Sequence, residues 1–158
     1  MIFRQLAAAS QITVNMAAVS AGTSDTQTGT EVDMFGFDSV CFIAMIGTIT
    51  STGVATLTAK NSDTSSTYGS GTVDSLTDPI SGSVVSASLT TGDSGKVMVL
   101  DIHRPPRRYV RAQIARATAN VVITGMVAIL YNSHVAPVSE LAANGVTSTV
   151  SSPIPSTA

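Results

Sequence analysis

The chain has 158 residues, enough to bury a core as one domain without the help of disulfides or a metal. Hydrophobic residues make up 44% and charged residues only 11%, which excludes the polar, highly charged composition of a disordered chain. The net charge of −2 gives no overall attraction to nucleic acid or to an anionic membrane. The single cysteine excludes an intramolecular disulfide, and the longest apolar runs are well short of a membrane span of about 20 residues.

The pattern of β-strands begins at residues 11–19, where Ile12, Val14 and Met16 share one parity and polar residues lie between them. This alternation predicts a half-buried strand. Residues 20–30 contain two glycines and no large apolar side chain, and we expect a loop there. Alternating segments further on predict two more half-buried strands, at 31–35 and 53–60.

Residues 39–50 differ from their neighbours because they are apolar on both parities through Ile46. Such a run predicts either a strand that is covered on both sides or a buried helix. The enrichment in Val, Ile and Thr, together with Gly47 inside the run, favours the strand.

A polar, glycine-rich stretch at 61–81 follows, broken by Asp78-Pro79, and predicts a long loop. The sequence RPP at 104–106 ends one of the later strands, since proline cannot continue a sheet ladder. Within the next strand we expect Val110, Ala112 and Ile114 to point inward. The strands predicted in this half of the chain are 83–90, 96–102, 108–117 and 121–131.

Eight short strands, with only a weak helical pattern at 139–144, predict an all-β fold. We expect a jelly-roll-like β-sandwich of about eight antiparallel strands, because two-sheet jelly rolls have that number. The predicted organisation is an N-terminal segment at 1–10, the sandwich at 11–131 and an extended C-terminal arm at 132–158. The arm has one charge and three prolines, and a neighbouring chain is the simplest source of contacts that would order it.

Residues with catalytic chemistry are few. Cys41, His103 and His134 could be combined with an aspartate into a nucleophile, a base and an orienting acid, but their spacing matches no known pattern. Cys41 lies in the apolar run CFIAMI, where a buried and inert thiol is the simpler interpretation. The two histidines are far apart and the glycine-rich loops lack a phosphate-binding lysine. The sequence therefore predicts no enzyme, no cofactor and no metal site.

Five of the eight basic residues fall within thirteen positions, namely Arg104, Arg107, Arg108, Arg111 and Arg116. This cluster predicts a contact between subunits, because arginine binds carboxylates with two parallel hydrogen bonds and is enriched at interfaces. A solvated turn and strand face, with Asp93 or Asp101 as partners inside the chain, is the alternative. A nucleic-acid site is disfavoured by the negative net charge and by the lack of aromatic residues other than Tyr109.

Two stretches resemble small virion proteins of tailed bacteriophages. The first, DMFGFDSVCFIAMIGTI at 33–49, enters an apolar strand through Gly36-Phe37-Asp38. The second, at 97–134, contains DIHRPPRRYVR at 101–111, where Pro105 and the Arg-Tyr-Val-Arg run coincide with a predicted strand–turn–strand unit. With the variable loop between them, they extend over about two-thirds of the chain.

The resemblance implies a capsid decoration, or cement, protein, which is a β-sandwich bound to the major capsid protein on the outside of the head. It also implies self-association, commonly as a homotrimer, and a place in the virion after synthesis in the host cytoplasm. Contacts with other subunits or with the capsid are expected from the arginine cluster and from Ile2, Phe3 and Arg4, unless these three residues pack on their own sandwich. The C-terminal arm departs from the family pattern, and its partner stays open.

Three other functions are compatible with a sandwich. One is a tail or head-fibre component, and another is a carbohydrate-binding module for host attachment. The absence of Trp and the presence of only three Tyr disfavour sugar binding, which usually needs aromatic faces. A hydrolase is the least favoured of the three.

Overall fold

A computed structural model describes residues 6–63, 65, 78–88 and 91–134. The predicted contact residues Ile2, Phe3 and Arg4 lie outside this part of the chain, as do residues 135–158 of the predicted arm. One short helix, α1, contains Leu6–Ala9, and a 3₁₀ turn contains Thr91–Asp93. The strands are β1 Gln11–Met16, β2 Val19–Gly22, β3 Asp25–Thr28, β4 Val32–Asp33, β5 Phe37–Ile49, β6 Val54–Ser62, β7 Asp78–Ser88, β8 Val97–His103, β9 Tyr109–Ala117 and β10 Val121–Ser133.

The strands form two antiparallel sheets of five strands each. Sheet A has the order β1-β10-β5-β8, with β2 also paired to β10. Sheet B has the order β3-β9-β6-β7, with β4 also paired to β9.

The strand pairs are nested in the chain, with the β6–β7 pair of sheet B at the centre. Each pair further out belongs to the other sheet. β5 pairs with β8 in sheet A, β3 and β4 pair with β9 in sheet B, and β1 and β2 pair with β10 in sheet A. A long antiparallel ribbon wrapped in this way is a jelly roll. The predicted all-β, jelly-roll-like sandwich is confirmed.

The core lies between the two sheets and is built from alternate residues of the long strands. On β5 these residues are Val40, Phe42 and Ala44, all fully buried. On β8 the buried side chains are Leu100 and the residues two positions before and after it. The predicted inward side chains of β9 are confirmed, since Val110, Ala112 and Ile114 are fully buried.

The prediction of a loop at 20–30 is wrong, because this range contains most of β2 and all of β3. These strands carry small and polar side chains, so hydropathy does not reveal them. They form because their backbones pair with the ends of β10 and β9. Asp78-Pro79 is likewise the start of β7 rather than a break before it; β7 is an edge strand, where a proline is tolerated.

The orientation predicted for strand 11–19 is only partly right. A β-bulge between Val14 and Met16 changes which parity faces the core. Met16 and Asn15 are buried, whereas Val14 is 49% exposed and lies on the outer side of sheet A with Ile12. The buried Asn15 amide donates a hydrogen bond to the Thr30 carbonyl, and this bond ties β1 to the β3–β4 connection.

Phe42 is the largest fully buried side chain, so Phe42→Ala tests the assignment of the core. We expect this change to lower the free energy of unfolding by about 3–5 kcal/mol, because it removes buried area and leaves a cavity. Urea unfolding followed by circular dichroism measures the effect. Phe35→Ala is the matched control, since Phe35 is 77% exposed and its loss should cost less than about 1 kcal/mol. Equal losses for the two variants would contradict this core.

Candidate interaction surface

The outer side of sheet A is apolar across all four main strands. In register, Val14 of β1 lies beside Val127 of β10, which lies beside Ile43 of β5, which lies beside Val99 of β8. Neighbouring rungs of the sheet add further apolar side chains on the same side. The apolar face, as we call it, consists of Ile12, Val14, Cys41, Ile43, Met45, Val97, Val99, Val127 and Ile129.

This face is open to solvent. Six large hydrophobic side chains are exposed in the described part of the chain, and four of them belong to the apolar face: Val14, Met45, Val97 and Val99. Strand spacing and rise give the face an area on the order of 400 Å². A contiguous apolar patch of this size on a protein surface is typical of an interaction site.

The outer side of sheet B is more polar, although Val54 and Ala115 also lie on it. Thr56, Thr58 and Lys60 of β6 occupy it, together with Gln113 of β9 and Thr28 of β3. The two sheets share one core but present opposite surfaces to their surroundings. The apolar face is therefore not a general property of this serine- and threonine-rich chain.

Hydrogen-bonded side chains border the apolar face at the end where β8 finishes. The Tyr131 hydroxyl donates to Asp101 Oδ1 at 2.6 Å, and burial with the neighbouring Asp101 carboxylate raises the pKa of Tyr131. Ser39 Oγ lies 2.8 Å from His103 Nδ1. Burial raises the pKa of the Cys41 thiol, so at neutral pH this residue is a protonated apolar member of the face.

The two histidines considered for catalysis are held in separate hydrogen bonds. Ser39 and His103 are hydrogen-bonded, but Ser39 is fully buried, and the other histidine, His134, is bound to Asp38 at 2.9 Å. The described ranges contain no group of three side chains that could hold a metal ion. They also contain no helix with the length and hydropathy to cross a membrane.

Arg116 and Arg111 are both buried, Arg116 on the inward parity of β9 and Arg111 on the opposite parity, in register with Lys60. That these two residues contact another subunit stays a prediction. Arg116 has 3% of its side chain exposed and binds both carboxylate oxygens of Asp25, at 2.7 and 2.5 Å. It also donates to the carbonyls of Ser20 and Val121, and so connects β2 and β3 to the two long strands. A Cβ atom at Gly22 would lie 2.4 Å from its guanidinium, so a larger residue at this position would have to displace the guanidinium. Arg111 is 7% exposed.

Arg104, Arg107 and Arg108 lie on the surface at the end of the sandwich. Arg108 makes two hydrogen bonds to Asp33, at 2.8 and 2.7 Å, and its guanidinium lies 5.1 Å from the ring centres of Phe35 and Tyr109. The carboxylate raises the pKa of Arg108, and the guanidinium lowers that of Asp33.

Arg107 lies 3.6 Å from Asp63, and Arg104 adopts a left-handed backbone conformation, with its amide bound to the Asp38 carbonyl. Asp25, Asp33 and Asp63 are thus acidic partners of the cluster inside the chain. Lys96 pairs with Asp93, and Asp101 accepts a hydrogen bond from Tyr131.

The apolar face was missed in the sequence, although a signal was present. Residues 39–46 are apolar on both parities and predict a strand covered on both sides, whereas the outer parity of β5 is only half-buried at Cys41 and Ile43 and is exposed at Met45. Residues 96–102 and 121–131 carry the same excess of apolar side chains. In an exposed sheet this excess produces an apolar outer surface.

No protein-family model matches the chain, and no curated protein is significantly similar to it in sequence.

Asp25→Asn tests the structural role of the Arg116 ion pair. The arginine holds the pKa of Asp25 below its ordinary value of 3.8, so the pair stabilises the fold above that pH and the contribution is lost as the pH falls through the lowered value. We expect the change to lower the free energy of unfolding by about 1–2 kcal/mol at pH 7 and by less at pH 3. The value at pH 7 is smaller than for a fully buried pair, because Asp25 is partly exposed. Chemical denaturation at the two pH values measures this difference.

Asp63→Asn is the matched control for that experiment. Asp63 is 75% exposed and its contact with Arg107 is long, so its loss should change stability by less than about 0.5 kcal/mol. An Asp25→Asn effect that is equally small, or that is the same at both pH values, would contradict the role assigned to Arg116.

Proposed function

We propose that this protein is a structural component of a tailed-phage virion, a decoration protein that binds the outer surface of the capsid and stabilises the mature head. The observation that carries the proposal is the apolar face of sheet A, opposite a more polar outer side of sheet B. Sequence resemblance to small virion proteins supplies the choice of partner, the major capsid protein.

A protein with this task has to bind a broad surface rather than a small molecule. The apolar face is nearly flat, because it is the outer side of a sheet, and its area on the order of 400 Å² is about half of one partner's share in a standard interface. Binding by one copy through this face alone is therefore weak. Many copies on one shell, or copies joined as the homotrimer that the resemblance implies, bind strongly together.

Surface arginines at the end of the sandwich would add contacts at the rim of this interface. Arg104 is exposed and Arg107 is half-buried, and a planar guanidinium suits carboxylates on a neighbouring chain. The proposal needs no catalytic residue, cofactor, nucleic acid or membrane. Its action is to add buried area across boundaries between capsid subunits.

Val14→Asp tests whether the apolar face binds the shell. Val14 is 49% exposed, so the change should leave the fold intact, but it places a charge where apolar area is to be buried. We expect at least about a tenfold weaker binding to heads assembled without the protein, equivalent to about 1.4 kcal/mol. Co-sedimentation measures the binding, and the temperature at which the heads open measures the stabilisation.

Thr58→Asp, on the outer side of sheet B, is the matched control and should bind and stabilise heads as the unchanged protein does. Equal weakening by the two variants would mean that added negative charge, rather than the apolar face, is responsible. Full binding by Val14→Asp would contradict the assignment of the face.

Carbohydrate binding is a second candidate, favoured by one observation. Phe35 is 77% exposed beside an open cleft of about 330 Å³ whose polar lining includes Gln11, Glu31 and Asp33. An aromatic ring next to hydrogen-bonding groups suits a sugar. Binding of the protein to a glycan array that Phe35→Ala abolishes would support this function, and an array without any bound glycan would exclude it for the sugars present.

A further inference from the structure

The outer edge of β8 is a regular strand edge. The ladder between β8 and β5 runs from Ser39 opposite His103 to Met45 opposite Val97 without a shift in register. No described strand pairs with the other side of β8. Sheet edges of this kind are rare in monomers, because they offer unpaired amides and carbonyls to any extended chain.

The remaining edges are interrupted, which makes β8 an exception. β1 has a bulge, β2 pairs with β10 through a shifted register, and β3 and β4 are short pieces of four and two residues. β7 begins with Asp78-Pro79 and has its own break in register. Such interruptions are the usual protection of an edge, and β8 lacks them.

The hydrogen bonds at the two ends of the ladder show which backbone groups of β8 face outward. The amide of Ile46 donates to the Lys96 carbonyl, and the amide of Arg104 donates to the Asp38 carbonyl. In an antiparallel pair the bonded positions alternate, so Met98, Leu100 and Ile102 bond to β5. The N–H and C=O groups of the intervening residues point to the open edge; these are Val97, Val99, Asp101 and His103.

We infer that β8 pairs antiparallel with β8 of a second copy of this chain, across a two-fold axis. The edge is self-complementary when Val97 of one copy lies opposite Val99 of the other. In this register two valine–valine pairs form, one on each side of the two-fold axis. This register also places each Asp101 opposite Gly95 and so keeps the two carboxylates apart. A net charge of −2 gives little repulsion between copies.

Pairing in this register joins the two apolar faces into one. The row Val127, Ile43, Val99 of the first copy continues into Val97 and Met45 of the second. The two copies of sheet A then form one continuous sheet, whose outer side has about twice the apolar area of one copy. A two-fold contact closes at two copies, so on a shell it would connect neighbouring oligomers rather than build a trimer. The contact is independent of the capsid and can be measured in solution.

Val99→Pro in the full chain tests the pairing. The Val99 amide makes no bond to β5, so proline blocks the edge and leaves the ladder of sheet A complete. Val99→Thr is the matched control, since it changes the same side chain but keeps the amide. Light scattering across a concentration series should give the unchanged protein and Val99→Thr about twice the mass of Val99→Pro at the highest concentration.

Amide hydrogen exchange in the unchanged protein identifies the surface involved. At low concentration the amides of Val97, Val99 and Asp101 should exchange quickly, and those of Met98 and Leu100 slowly. At high concentration the first three should become at least about tenfold slower.

Three outcomes would overturn the inference. One is an equal mass for the unchanged protein and Val99→Pro. Another is a doubled mass with no protection of the outward amides, which would place the contact elsewhere. The third is protection that is independent of concentration, which would mean that another segment of the same chain covers β8. Val14→Asp, on β1 at the opposite edge of sheet A, should leave the pairing unchanged, so failure of the edge contact and failure of capsid binding are distinguishable.

Discussion

Successive side chains of a strand point to opposite sides of its sheet. In sheet A this constraint determines both the core and the outer surface of the molecule. Each of the long strands β5, β8 and β10 is apolar on both parities. One parity fills the space between the sheets, where Val40, Phe42 and Leu100 are buried. On the side of the other parity, the described part of the chain contains no partner sheet. The strands that build the core therefore also build the apolar face.

Polar interactions determine the rest of the architecture. The weakly apolar strands β2 and β3 are attached through backbone pairing and through Arg116, whose guanidinium reaches Asp25 and two carbonyls. At the end of the sandwich, Arg108 performs a similar task with Asp33 and two aromatic rings. Part of an arginine cluster that suggests an interface in the sequence is thus used inside one chain. The apolar face and the β8 edge are the surfaces on which the proposed capsid contact and the proposed pairing of two copies rest.

The prediction of the fold from the sequence was accurate where the hydropathy pattern was strong. The strands around β5, β8, β9 and β10 were located to within a few residues, and the inward parity of β9 was correct. The prediction failed where backbone pairing rather than hydropathy decides, as for β2 and β3. It also failed at the bulge in β1, because a single extra residue exchanges the two sides of a strand without any change in composition. For the candidate site, it detected the excess of apolar residues but assigned it to the interior.

The sequence by itself determined the class of the fold, because alternation, β-branched residues and the turn signals are local properties that no distant contact has to supply. It also determined that the chain carries few charges and few groups suited to catalysis. Only the tertiary structure decided which apolar parity is buried, which arginines are internal and which strand edge stays open. These outcomes depend on the neighbours that each strand acquires when the ribbon wraps into two sheets, and those neighbours are distant in the chain.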